Sequence, residues 1–303
     1  MKKKIAVLLG GISAEKNVSL KTGKYVSKSL KQQGYKVKEI KVTKNERDLI
    51  KNLKKFNPDF VFNALHGYFG EDGKIQKILD RLKLKYSHSN AKSSEIAMDK
   101  KKTKLIFKKI GVPYPKDTLV NLNNFNKRLK KIRFKYPLVI KPVNEGSSLG
   151  VKICKTISEL KKYKLKKNMN YLIEEFIPGR ELTVGILNNK ALDIIELKTK
   201  KNFYDYKSKY TKGMTKYIIP AHIPKDIENK CKKYTEKIHK FLKCNSVTRT
   251  DFRYDEKKTL GKKLYVLEIN TQPGMTPLSL VPMMAKYKGI SFNKLIKKII
   301  GEN

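Results

Sequence analysis

Apolar positions along the chain follow two periods, and the switches between them mark the elements. Residues 5–9 are an unbroken apolar run ending at Gly10-Gly11, which reads as a buried parallel strand. The polar-apolar spacing that follows predicts a helix to about residue 33, with Ser13 or Asn17 as its cap. Strand, glycine turn and helix make a βα unit, which places loop N–H groups and a helix N-terminus beside a ligand. Residues 36–42 alternate like an edge strand, and 59–64 form a third strand. Helical spacing recurs at 75–84 and at 103–110, the second closed by Gly111 and Pro113. Strands are expected at 136–142, 151–154, 171–176 and 181–187. A helix is expected at 226–242, with Ile227, Cys231, Tyr234, Ile238 and Phe241 on one face, and another at 291–300. Residues 202–215 are polar and aromatic without a period, and an irregular loop of that length is usually functional or disordered. The class is α/β.

Near the end of the chain, Tyr265, Val266, Leu267 and Ile269 build a strand interrupted by Glu268 and Asn270. Side chains at i and i+2 share a face of a strand, so the carboxylate and the amide oxygen project together. Such a pair suits a hard cation such as Mg²⁺, and a strand end with two solvated polar residues fits Glu-x-Asn equally well. Asp251, about one hairpin earlier, can supply a third oxygen and favours the metal. Lys141 precedes a turn containing Gly146-Ser147-Ser148, whose N–H groups and hydroxyls can fold over phosphates. His66 emerges just beyond the third strand, at the kind of end where open α/β sheets bind ligands.

Composition narrows the class. The 303 residues include 12 Phe and 16 Tyr, enough for a packed core. The net charge of +43 suggests nucleic acid, but 63 of the 70 basic residues are Lys, spread along the chain in runs no longer than three. Arg, the residue suited to bidentate phosphate and base recognition, is scarce, so a solvated basic surface is the better reading. Cys154, Cys231 and Cys244 are too far apart for a zinc site or a disulfide framework. The opening apolar run is too short for a secretory signal, and no stretch approaches the ~20 apolar residues of a membrane span. A cytoplasmic location is expected.

The motifs occur in a telling order. Gly10-Gly-Ile-Ser-Ala-Glu-Lys-Asn-Val-Ser19, His66-Gly-Tyr-Phe-Gly-Glu-Asp-Gly73, Met98-Asp-Lys100 and Lys141-Pro-Val-Asn-Glu-Gly-Ser-Ser-Leu-Gly150 come first. Phe203-Tyr-Asp-Tyr-Lys-Ser-Lys-Tyr210, Arg249-Thr-Asp251 and Leu267-Glu-Ile-Asn-Thr-Gln-Pro-Gly-Met-Thr276 follow. Over nearly its whole length the chain resembles the D-alanine–D-alanine ligases of the ATP-grasp superfamily.

The resemblance implies three domains: an N-terminal open parallel-sheet (Rossmann-like) α/β domain at 1–93, a small lid at 94–180 and a catalytic ATP-grasp domain at 181–303. It places ATP on Lys100, Lys141, Ser148, the hinge residues Glu174, Glu175, Phe176 and Ile177, Glu181 at the ribose, and Lys209 in a mobile loop. It places two Mg²⁺ ions, with Mn²⁺ as a substitute, on Asp251, Glu268 and Asn270. Glu15, His66, Arg249, Gly274, Ser279 and Leu280 line the subsites for two D-alanines, and Glu15, Ser147 and Tyr210 latch the loop. Arg249 and the Gly274 N–H face the oxyanion. In related ligases that favour D-lactate, a histidine stands where this chain has Tyr210, so D-alanine is the expected second substrate. A homodimer without specific nucleic acid or membrane partners is expected. The alternatives are another carboxylate–amine or D-alanine–D-lactate ligase and, from a different class, a polyanion-binding protein.

Overall fold

Two βα units open the chain, and their strands pair side by side. The structure is a computed structural model and describes residues 2–199, 213–259 and 261–302. Lys209, Tyr210 and most of the 202–215 loop lie outside them. β1 (Lys4–Gly10), α1 (Lys16–Gln32), β2 (Lys36–Val42), α2 (Glu46–Phe56) and β3 (Phe60–Asn63) form a parallel sheet of order β2-β1-β3. The apolar run of β1 occupies the buried centre, and the alternating β2 takes an edge. α2, which the periodicity left unassigned, begins where Asn45 accepts from the N–H groups of Arg47 and Asp48.

Neither Ser13 nor Asn17 caps α1. Its N-cap is Glu15, without a side-chain capping bond. The Ser13 hydroxyl accepts the Glu15 N–H at 3.1 Å just before the helix and donates to the His66 carbonyl at 2.6 Å, so it serves a local and a tertiary contact together.

α3 (Lys74–Arg81), α4 (Ala91–Met98) and α5 (Lys100–Lys109) follow, and Asp99 caps α5 through the Lys101 and Lys102 N–H groups. A second sheet is antiparallel, with β4 (Asp117–Asn121), α6 (Phe125–Leu129), β5 (Leu138–Pro142), β6 (Lys152–Cys154), α7 (Ile157–Lys161) and β7 (Asn170–Glu175) in strand order β4-β7-β5-β6. The third sheet contains β8 (Arg180–Leu187), β9 (Lys190–Thr199), β10 (Thr215–Ile218), β11 (Val247–Tyr254) and β12 (Leu264–Asn270), with α8 (Lys225–Phe241) between β10 and β11 in sequence. Its order is β10-β9-β8-β11-β12, and α9 (Leu280–Tyr287) and α10 (Phe292–Ile299) end the chain.

Among the described residues four apolar clusters form, and two of them join elements of different layers around the third and first sheets. In one, Ile227, Cys231 and Ile238 of α8 and Phe107 of α5 pack with Leu182, Val184 and Val266 of the third sheet. In the other, Ile5, Val7 and Phe62 of the parallel sheet meet Val281 and Met284 of α9 and Leu295 and Ile296 of α10. Burial of each such side chain stabilises by roughly 1.5–3 kcal/mol. The last helices therefore close the first sheet.

Phe241 departs from the expected apolar face. It is 42% exposed, with the Lys109 ammonium 5.5 Å from its ring centroid, while Leu242 takes the buried position. Among the described residues no helix is long and apolar enough to cross a membrane.

Candidate active site

The C-terminal ends of β1 and β3, the β5–β6 turn and the end of β12 converge on a cleft of about 550 Å³. Glu15, His66, Ser147, Arg249 and Asn270 line it, together with Gly274, Ser279 and Leu280. A narrower cleft of about 90 Å³ adjoins it, lined by Lys141, Ser148, Glu174, Glu175, Phe176 and Ile177, and by Glu181 and Asp251. Lys100, Glu145 and Glu268 border both, so they form the wall between them. Every described residue expected at the site borders one cleft or the other.

Strand pairing sets the common wall. Asp251 on β11 lies in direct register with Glu268 on β12, and Arg249 with Asn270. A bulge after Asp251 shifts the register, so that Phe252 pairs with Val266. Arg249 donates from Nε to Oδ1 of Asp251 and from a terminal nitrogen to Oδ2, both at 2.8 Å. Thr183, opposite Asp251 on β8, donates to Oδ1 at 2.6 Å. Oε2 of Glu268 is 3.7 Å from the Lys100 ammonium, and Oδ1 of Asn270 accepts the Gln272 N–H at 2.6 Å.

Two carboxylates and an amide oxygen are the donor chemistry a hard cation takes. Among the described residues no group of three His, Cys, Asp or Glu is placed to hold a metal, and the third oxygen beside Asp251 and Glu268 is the Asn270 amide on β12. The Glu268 side chain keeps 29% exposure, leaving its oxygens accessible from the cleft. The residues fit Mg²⁺.

Two lysines, Lys100 and Lys141, line the narrower cleft among several acidic side chains. Lys100 donates to the Glu145 carbonyl. Lys141 pairs with Oε2 of Glu174 at 2.8 Å, and Lys104 with Oε1 at 2.6 Å. Burial raises the Glu174 carboxyl, but the two lysines outweigh burial and hold it below the usual carboxylate range. Arg253 fixes the segment behind the hinge, donating to the Ile177 carbonyl at 3.0 Å and the Gly179 carbonyl at 2.8 Å.

At the other end, His66 is buried. Its Nδ1 lies 2.9 Å from Oε1 of Glu71 and its Nε2 3.2 Å from the Thr22 hydroxyl. Burial lowers its pKa, but Glu71, helped by Glu15, overcomes burial and raises it above the ordinary 6.5. The Ser147 hydroxyl donates to Glu15. Ser147 and Ser148 have φ of 48° and 60°, a left-handed backbone that costs a non-glycine residue roughly 1–2 kcal/mol. Such conformations concentrate at functional sites. Ser279 stands at the N-cap of α9, where its hydroxyl oxygen accepts the Thr276 N–H at 3.1 Å. That helix end favours a carboxylate.

Several partners escaped the sequence reading. Glu71 lies inside the quoted His66–Gly73 stretch, and its acidic type beside a histidine was a usable signal. Lys104 is one helical turn past Lys100, so spacing alone placed both on one face. Thr183, Arg253 and the buried amides of Asn63 and Gln272, bonded at 2.9 Å between the end of β3 and the loop after β12, left no local mark.

Residues 106–301 match the family model for the D-ala D-ala ligase C-terminus. The chain belongs to the D-alanine–D-alanine ligase family. The D-alanine–D-alanine ligase of Pelagibacter ubique is 48% identical, over 99% of this chain and 98% of that protein. That of Zymomonas mobilis is 43% identical, over 99% and 94%. The D-alanine–D-alanine ligase structure from Bacillus anthracis complexed with ATP superposes with a TM-score of 0.83 at 32% identity, covering 98% of this chain and 96% of that one. The VanG D-Ala:D-Ser ligase of Enterococcus faecalis gives 0.84 at 28% identity, covering 99% of each chain. The three sheets and their clefts are the family's ATP-grasp architecture.

Proposed function

We propose that the chain joins two D-alanines into D-alanyl-D-alanine at the expense of ATP, supplying the dipeptide for peptidoglycan precursors. The observation that carries the reading is the wall of Lys100, Glu145 and Glu268 between a cleft lined by Lys141, Ser148 and Asp251 and one lined by Glu15, His66 and Ser279. ATP occupies the narrower cleft, its phosphates toward Lys100, Lys141 and Ser148 and its adenine toward residues 174–177. The amino acids occupy the wider one.

Glu15 holds the first ammonium, with His66 close by. The first carboxylate attacks the γ-phosphorus in line, ADP leaves, and an acyl phosphate remains. The second amine attacks that carbonyl and phosphate departs. Phosphoryl transfer asks the protein mainly for positioning and charge neutralisation. Two Mg²⁺ ions (Mn²⁺ suits the same oxygens) held by Asp251, Glu268 and Asn270 neutralise phosphate charge when bound. Arg249 is oriented by its two bonds to Asp251 and faces the oxyanion together with the Gly274 N–H. Lys209 and Tyr210 keep the roles the resemblance implies.

Domains at 1–93, 94–180 and 181–303 accord with one sheet in each. A cytoplasmic homodimer with no specific nucleic-acid or membrane partner completes the proposal. The test is ADP release with single D-amino acids and D-lactate. D-Alanine alone should give D-alanyl-D-alanine, with D-lactate a poor second substrate near neutral pH. Comparable dipeptide and depsipeptide yields from a mixture would overturn the substrate assignment.

A further inference from the structure

Helix α5 carries Lys100 and Lys104 one turn apart, hence on one face. Lys100 reaches the wall between the clefts, and Lys104 runs beneath the hinge strand β7. The Lys104 side chain is only 2% exposed. Three oxygens surround its nitrogen: Glu174 Oε1 at 2.6 Å, the Pro115 carbonyl at 2.8 Å and Asp117 Oδ1 at 3.6 Å. The Pro115 carbonyl accepts a hydrogen bond, and the two carboxylates meet the ammonium as ion pairs. Burial lowers its pKa from the ordinary lysine value, and the Glu174 and Asp117 carboxylates oppose burial.

The consequence falls on Lys141. Joined to Glu174 alone, Lys141 would form a neutral pair with little pull on a polyphosphate. Lys104 takes the opposite oxygen of the same carboxylate, and Asp117 is itself met by Lys101 at 2.8 Å. Three ammoniums and two carboxylates leave one positive charge over, and of the three lysines only Lys141 lines the narrower cleft. The link also spans layers, because α5 packs on the third sheet while Asp117 and Glu174 belong to the second.

We propose that Lys104 is a positioning residue for nucleotide binding, which balances the charge of Glu174 and leaves Lys141 a net cation toward the ATP phosphates. This rests on the reading of the narrower cleft as the ATP site. Neither the periodicity nor the motif order assigns Lys104 a role.

The test is calorimetric binding of Mg²⁺-ATP to the full chain, with turnover measured at saturating ATP. Lys104→Met should weaken ATP binding by about tenfold or more while turnover at saturation changes less than about threefold. Adding Glu174→Gln removes the charge that Lys104 balances. The double variant should therefore bind ATP within about threefold of Glu174→Gln alone. A simple packing role for Lys104 would not be rescued in that way. The proposal falls when Lys104→Met binds ATP within about twofold of wild type, or when the double variant is about tenfold weaker than Glu174→Gln. Should Lys104→Met fail to fold, the comparison of the double variant with Glu174→Gln decides by the same limits. Wild-type protein that binds no ATP removes the nucleotide reading and the Lys104 role with it. Wild-type binding with an unaffected Lys104→Met removes the Lys104 role alone.

Discussion

The Ser147 hydroxyl donates to Oε1 of Glu15, joining residues 132 positions apart in the chain. The contact ties the β5–β6 turn of the second sheet to the first helix of the parallel sheet. Glycines crowd the same carboxylate: a Cβ at Gly67 would sit 3.0 Å, and one at Gly146 3.2 Å, from Oε2 of Glu15. A side chain at either position would press on the group proposed to hold the first ammonium.

Ser147→Ala should therefore lower kcat by about tenfold while the KM for ATP stays within about twofold, because it loosens Glu15 without touching the lysines. Steady-state kinetics with ATP and D-alanine varied separately make the distinction. An equal rise in both KM values with unchanged kcat would mean that the serine serves binding alone.

Glu268→Ala and Asp251→Ala should each cost at least about 100-fold in turnover while circular dichroism shows a folded protein. Asp251→Ala also strips Arg249 of its carboxylate and should melt earlier, by an amount equivalent to about 1–3 kcal/mol. Activity within a few-fold of wild type in either variant would take that residue out of the metal set.

Lys141→Ala should raise the KM for ATP about tenfold or more, whereas Lys161→Ala, at the exposed end of α7, should leave it within about twofold. Equal effects of the two changes would reduce Lys141 to surface charge.

His66 binds its proton more tightly folded than unfolded, because Glu71 raises its pKa above 6.5. The stability this gives is fully present below the unfolded pKa and fades as pH rises through the folded one. Glu71→Gln should thus be more destabilising relative to wild type at about pH 5.5 than at about pH 9 in denaturant titrations. An identical deficit at both pH values would show that His66 gains no proton affinity from Glu71.

Much of the site was readable from local chemistry. Alternation along β12 placed Glu268 and Asn270 on one face, and the glycines at 10 and 11 marked the first βα turn. Both follow from backbone geometry over a few residues. α2 and β9 are also legible locally, since Leu49, Leu53 and Phe56 recur at helical spacing and Leu192, Ile194, Ile195 and Leu197 form an apolar run, whereas spacing alone does not choose between Phe241 and Leu242 for the buried side of α8.

By itself the sequence determined residue types, their periods and the order of motifs, and hence the family, the α/β class and the oxygens available to a cation. Tertiary structure alone decided the pairings. It gave both oxygens of Asp251 to Arg249, added the His66 carbonyl to the partners of Ser13, set Lys104 beneath Glu174, and used α10 to close the first sheet. Periodicity reports how a residue meets its own helix or strand, a matter of a few neighbours. Which cation meets which carboxylate depends on chain segments brought together from far apart. There burial removes water as an alternative partner and makes each pairing count.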